Sequence, residues 1–303
     1  MIRLPSRKFD FIQLDVFTRK PLEGNQLAVF TDARGLSDAE MLALAREMNL
    51  SETTFILPRD AETERREGVK VRIFTVQEEL PFAGHPTLGT ALCIRGLLQS
   101  SGQAVDSVTL DLRVGKIPVS FTAKDGGTFG EMRQRDPEFG AVLDRDQVGR
   151  LIGVAPGELS AEWPVQIVST GMAFAIVPFR APATLAKLKF TFTSAAAEYL
   201  EKHDGKFFYF LCPQKRNGST ECAARMIFYN GEDPATGSAA GCAASWMARH
   251  GVAASDEAVL IRQGYEMLRP SDIYVRARRE GERVSDVRVG GYATEILRGT
   301  VML

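Results

Sequence analysis

Two polar side chains stand immediately before prolines in nearly the same setting, His85 before Pro86 and Asp233 before Pro234. The heptapeptides they open, His85-Pro86-Thr87-Leu88-Gly89-Thr90-Ala91 and Asp233-Pro234-Ala235-Thr236-Gly237-Ser238-Ala239, share the pattern x-P-x-x-G-[S/T]-A. Proline at the first position of a helix, followed by glycine and a hydroxyl residue, exposes the free backbone N–H groups of the helix start. Together with the helix dipole they make an anion site, worth roughly 0.3–2 kcal/mol per charge. The same pattern would serve a buried helix with no ligand, but a sheet–helix junction does not require a histidine or an aspartate before the proline. The chemistry this suggests is capture of a carboxylate, with polar groups of both motifs around the neighbouring carbon. His85 can orient a substrate or pass a proton, or be a packed core residue. Asp233 can contact substrate or act as a helix N-cap, roles that are compatible. Ser238, in the first turn of its helix, can donate a hydrogen bond or be structural, and Asn25 reads as a turn residue.

Glu52 is the third candidate. It follows the helix-ending Asn49-Leu50-Ser51 and opens an apolar strand, Thr53 to Leu57. Most glutamates after a helix are solvated. A carboxylate entering a low-dielectric cleft instead has its pKa raised, which suits a group that takes and returns a proton near neutral pH.

The elements that must position these groups are duplicated. Val71 to Phe74 precedes the first motif, as Ala224 to Phe228 precedes the second. Earlier still, Gln13 to Phe17 and Leu27 to Phe30 are strand-like runs around a turn, and Gln166 to Ser169 and Ala173 to Val177 repeat that plan around Gly171. Three matches in one order, about half a chain apart, predict two copies of one fold. Ser37 with Glu40 makes a capping box, after which Met41, Leu44, Ala45 and Met48 line one helix face. The helices after Pro86 and Pro234 are apolar all round, and such helices must be surrounded. The expected fold class is therefore α+β, two pseudo-symmetric domains, each a barrel-like mixed sheet wrapped around a central helix. The boundary is expected within Lys124-Asp125-Gly126-Gly127, giving domains 1–126 and 127–303, with the last segment, about 291–303, a candidate to return to the first sheet. Related by a pseudo-twofold axis, the two helix starts would face each other.

At 303 residues the chain suits two domains of about 150 each. A hydrophobic fraction of 45%, a charged fraction of 25% and a formal net charge of −1 describe a globular protein with no electrostatic footprint for nucleic acid or an anionic membrane. No apolar run of spanning length and no signal peptide is read, and the expected location is cytoplasmic. The cysteines, Cys93, Cys212, Cys222 and Cys242, form no C-x-x-C pair and have no metal-ligand spacing to histidine. With no nucleotide-binding glycine motif either, the expectation is no cofactor and no metal.

Phe11-Ile12-Gln13-Leu14-Asp15-Val16-Phe17, Gly24-Asn25-Gln26-Leu27-Ala28-Val29, Met48-Asn49-Leu50-Ser51-Glu52-Thr53-Thr54-Phe55, Pro81-Phe82-Ala83-Gly84-His85-Pro86-Thr87 and Glu232 to Ala239 resemble the signatures of the PhzF-type phenazine-biosynthesis isomerases. The resemblance runs in order to about residue 245. It implies the diaminopimelate-epimerase-like fold, a homodimer, and a metal-free, cofactor-free isomerisation of trans-2,3-dihydro-3-hydroxyanthranilate or a similar cyclic carboxylate. Carried over by residue, the catalytic glutamate falls on Glu52 and its neighbouring site groups on His85, Asp233 and Ser238. As anion sites, the helix starts add Gly84, Pro86, Thr87 and Gly237 as substrate contacts beside Ser238. Gln26 departs from the pattern, which more often has proline after Gly-Asn. Related epimerases use a cysteine pair at the two helix starts. Here no cysteine lies within seven residues of either motif's first polar residue, and Cys93 is about two turns into its helix. The alternatives are an amino-acid epimerase with Glu52 and Asp233 or His85 in place of the cysteines, and a non-catalytic carboxylate-binding protein.

Overall fold

The computed structural model describes residues 7–155, 157–216, 218–229 and 231–303. The chain divides into two compact units: the first runs to Met132 and includes Gly291–Leu303, and the second is Arg133–Gly290.

In the first unit, β1 (Lys8–Val16) and β2 (Asn25–Phe30) pair antiparallel. A parallel neighbour needs a crossover, supplied by α1 (Asp38–Met48), before β3 (Glu52–Leu57) lies alongside β2. After α2 (Ala61–Glu67), β4 (Val69–Phe74) runs antiparallel to β3, and the short β5 (Glu79–Leu80) folds back on β4. The second crossover is α3 (Gly84–Ser100), which carries the chain to β6 (Ser107–Leu112), parallel to β4. Then β7 (Gly115–Lys124) and β8 (Gly127–Arg133) follow as antiparallel neighbours.

The second unit repeats this succession. Its strand β9 (Glu138–Leu143), followed by α4 (Arg145–Ile152), pairs with β10 (Val165–Ser169), and β10 pairs with β11 (Ala173–Pro178), both antiparallel. The crossover α5 (Pro182–Ala186) and α6 (Ser194–Glu201) leads to β12 (Phe207–Arg216), parallel to β11. Next, β13 (Ser219–Phe228) and β14 (Gly231–Asp233) turn back antiparallel, and α7 (Gly237–Arg249) crosses to β15 (Val259–Gln263), parallel to β13. Strands β16 (Ser271–Glu280) and β17 (Arg283–Gly291) complete it, again antiparallel. The duplicated order of pairing is thus the duplication seen in the sequence. The last strand, β18 (Ala293–Met302), pairs antiparallel with β1, Lys8 opposite Met302 and Val16 opposite Ala293, taking the place that β9 holds beside β10.

Each sheet curls around its crossover helix. α3 packs against β1, β2, β3 and β6, and α7 against β10, β11 and β16. The close approach requires small residues: a Cβ on Gly89 would come within 2.7 Å of both Leu27 and Val16. The capping box at Ser37 and Glu40 is formed, and Met41, Leu44 and Ala45 bury beneath α1 against Phe30, Phe55 and Phe74. No helix among the described residues is long and apolar enough to cross a membrane.

Three expectations are corrected. The Gly126–Gly127 boundary is a hairpin turn: Asp125 and Gly126 take positive φ and β7 continues into β8, so the division falls after Met132. Helix α7 begins at Gly237 with Thr236 as N-cap, not at Pro234, because β14 extends to Asp233. And α3 is enclosed only over its first ten or so residues. Gly96, Gln99 and Ser100 are exposed and Leu97 and Leu98 half-buried, whereas α7 is buried almost throughout.

Candidate active site

Two parallel strands and one helix start deliver the polar groups of the first unit. α1 ends on Asn49 in the left-handed conformation, its N–H returned to the Ala45 carbonyl, and the chain turns through Leu50-Ser51 into β3. Glu52 is therefore the first residue of β3, in register with Leu27 of β2. Asn25 opens β2. It is set by Gly24, whose φ of +71° and contact with the Val16 carbonyl (2.4 Å from an added Cβ) exclude any side chain. His85 is the second residue of α3.

These three residues meet. Glu52 Oε2 lies 3.5 Å from His85 Nδ1, with Glu52 17% exposed and His85 4%. Asn25 Nδ2 is 3.3 Å from the same Nδ1, and His85 Nε2 is 3.3 Å from the Gln26 carbonyl. A carbonyl only accepts, so Nε2 carries the imidazole proton and Nδ1 presents its lone pair, with the Asn25 amide donating to it. Burial pulls the His85 pKa down to about 3, against the opposing pull of the Gln26 carbonyl. Nδ1 has one lone pair, taken by the Asn25 amide, so Glu52 stands beside the imidazole as a neighbour rather than as its hydrogen-bond partner. With the ring held neutral, His85 places no positive charge beside the Glu52 carboxyl. Sequence reasoning passed over Asn25. Its only signal was the glycine before it, and its partner lies 60 residues on.

The buried neutral histidine has a thermodynamic consequence. An unfolded histidine titrates near 6.5, so between that value and about 3 the unfolded chain binds more protons, and stability falls as pH falls. Between pH 7 and pH 5 the wild type should lose roughly 2 kcal/mol more than His85→Asn, at about 1.4 kcal/mol per pKa unit. Urea unfolding midpoints at the two pH values measure this, and equal losses would mean that His85 is not held neutral.

The first turn of α3 leaves the N–H groups of Gly84 and His85 outside the helical ladder. Pro86 has no N–H, and Thr87 spends both its N–H (3.3 Å) and its hydroxyl (2.6 Å) on the Ala83 carbonyl.

In the second unit Asp233 ends β14 and is buried. Its Oδ2 accepts the Thr236 hydroxyl at 2.5 Å. Asp233 is not the N-cap of α7; that position belongs to Thr236, without a side-chain capping bond. Gly237 is buried and Ser238 half-buried at the helix start, and the Gly237 carbonyl accepts from Gln134 Nε2 at 3.0 Å. Arg225 grips Glu232, the residue before Asp233, through two 2.8 Å bonds, and its Nη1 also donates to the Leu185, Ala186 and Leu188 carbonyls. That anchors the strand carrying Asp233.

All four cysteines are buried free thiols. Burial pushes Cys93 up to about 12, Cys212 and Cys242 to about 11, and Cys222 upward as well, so none is poised as a thiolate base. Among the described residues no three His, Cys, Asp or Glu side chains form a metal-binding group.

Comparison with known proteins agrees with this architecture. Residues 14–299 match the family described as phenazine biosynthesis-like protein. The trans-2,3-dihydro-3-hydroxyanthranilate isomerase of Pseudomonas aeruginosa is 32% identical over 297 residues, covering 97% of this chain and 99% of that one. The structure of a predicted epimerase from Pseudomonas aeruginosa superposes with a TM-score of 0.81 at 33% identity, over 97% of this chain and 99% of that one. A hydroxyproline epimerase from Agrobacterium vitis shares the fold at 13% identity, TM-score 0.61, over 99% and 94% of the two chains.

Proposed function

The chain belongs to the phenazine biosynthesis-like family and is an isomerase, and from that premise we propose that it moves a proton on a small cyclic carboxylate, without a cofactor, using Glu52 as general acid/base. The observation that carries this reading is the contact of Glu52 Oε2 with the lone-pair nitrogen of a buried neutral imidazole, 3.5 Å away. A carboxyl group beside a neutral imidazole, and so not locked into an ion pair with it, has the reversibility that proton transfer needs. Capture of the substrate carboxylate is assigned to helix-start N–H groups, those of Gly84 and His85 in the first unit or those of Gly237 and Ser238 in the second. His85 and Asp233 are the polar partners in the reaction. The related Pseudomonas enzyme's named substrate makes a trans-2,3-dihydro-3-hydroxyanthranilate-like compound the first to try.

The test is NMR of that compound with the protein in deuterated water. A shifted double bond with deuterium at the newly protonated carbon is expected. Exchange at a stereocentre without movement of the double bond would replace the reading with epimerisation, and binding without exchange would replace it with a non-catalytic role. Dialysis against chelator should leave turnover unchanged, and loss restored by a metal would remove cofactor independence. The same reading makes the enzyme a cytoplasmic homodimer, so light scattering should give twice the chain mass.

A further inference from the structure

We infer that Gln263 is a positioning residue for Asp233, its buried amide setting the direction of a hydrogen-bond chain that ends on the Asp233 carboxylate. The inference rests on the assignment of Asp233 to the reaction and names what holds it there.

Gln263 ends β15, is fully buried, and has all four hydrogen-bonding positions of its amide engaged. Its Nε2 donates to the Asp233 carbonyl at 2.7 Å and to Thr236 Oγ1 at 3.0 Å. Its Oε1 accepts from the Tyr209 hydroxyl at 3.0 Å and from the Thr236 N–H at 3.3 Å. The amide cannot be turned over: the Asp233 carbonyl needs a donor and the Thr236 N–H needs an acceptor, so both ends demand the same orientation. Thr236 Oγ1 is thereby already an acceptor, and its one proton points to Asp233 Oδ2, 2.5 Å away. Tyr209 lies at the far end with its pKa raised well above normal by burial, so its hydroxyl stays protonated and donates. The side-chain bonds therefore run one way, from the Tyr209 hydroxyl through the Gln263 amide and the Thr236 hydroxyl to the Asp233 carboxylate. Gln263 holds the backbone and, through Thr236, one carboxylate oxygen, so that the other oxygen keeps a constant orientation. Hydrogen bonds that polarise in one direction strengthen each other in a dry interior.

The test reads Asp233 directly, without substrate, as the carboxyl carbon resonance in protein labelled at Asp Cγ and assigned with Asp233→Asn. Thr236→Val removes the last donor at constant shape and Thr236→Ser keeps it. Gln263→Met removes the amide at similar length, and Tyr209→Phe removes only the first hydroxyl. The resonance should move in Thr236→Val and Gln263→Met, move in the same direction but less in Tyr209→Phe, and keep its wild-type position in Thr236→Ser. Turnover should fall about tenfold or more in Thr236→Val, the scale of a lost bond to a charged group, and return to within about threefold in Thr236→Ser. An unmoved resonance in folded Gln263→Met overturns the inference; if that variant does not fold, an unmoved resonance in Tyr209→Phe does so. No rescue by Thr236→Ser would reduce the chain to ordinary packing. A wild type that shows these shifts but never isomerises would defeat the functional reading and leave the chain standing.

Discussion

Glu52→Gln should fold as the wild type does, bind the carboxylate, and turn it over more slowly by roughly 10²–10⁴, the usual worth of general acid–base catalysis. The substitution is close to a single-variable experiment. Glutamine keeps the size and reach of the side chain but cannot exchange a proton in the working pH range. The new amide occupies the same space beside His85 Nδ1, so packing is preserved. Turnover and solvent-deuterium incorporation should fall together in the NMR assay, while affinity, measured in parallel, stays near wild type. Exchange at the wild-type rate would transfer the proton-carrying role to His85 or Asp233. Equal loss of binding and turnover would make Glu52 a substrate anchor.

Gly264→Ala should be the most damaging small substitution in the second unit. Gly264 takes φ +79°, a conformation that already costs an L-residue about 1 kcal/mol. An added Cβ would also stand 2.3 Å from the Arg269 carbonyl oxygen and 2.7 Å from that of Pro234. Both obstacles are main chain, so neither can swing aside. A loss of roughly 3–5 kcal/mol and a fall in the thermal midpoint of about 10 °C are expected. Gly281→Ala is the control: its φ is +58° with nothing within 4 Å of the new Cβ, so only the conformational cost, about 1 kcal/mol, should appear. Equal losses in the two variants would mean that the clash with the Pro234 segment contributes nothing.

What could be read without coordinates was what depends on neighbours in sequence. The Ser37–Glu40 capping box is an i, i+3 device, and the strands around Gly171 declare themselves by composition. The repeat survived because both copies need glycine and alanine where strands press on a helix, as at Gly89. Two kinds of feature were hidden. One is the ambiguity of local signals: Asp125-Gly126 reads equally as a linker and as a hairpin turn, and Pro234 as the opening of a helix that in fact waits until Gly237. The other is side chains whose meaning lies far along the chain. Asn25 has its partner at His85, and Gln263 has Tyr209 and Asp233. An interior glutamine at the end of an apolar strand carries no pattern that distinguishes it from a surface one.

The pairing of β18 with β1 also imposes an order of assembly. Arg133–Gly290 is one unbroken stretch of chain and has all its own strands once residue 290 has been made. The first unit begins earlier but lacks the partner of β1 until Ala293–Met302 follows, so its N-terminal strand must wait through the synthesis of the entire second unit. While it waits, one edge of β1 is an open template for mispairing with other chains. Closing the sheet then joins strands as far apart in sequence as Lys8 and Met302, the most non-local strand pairing among the described residues and a slow step by the entropy of loop closure. A released chain cut short of the last strand would therefore hold a finished second unit and an unfinished first one, the half that carries Glu52.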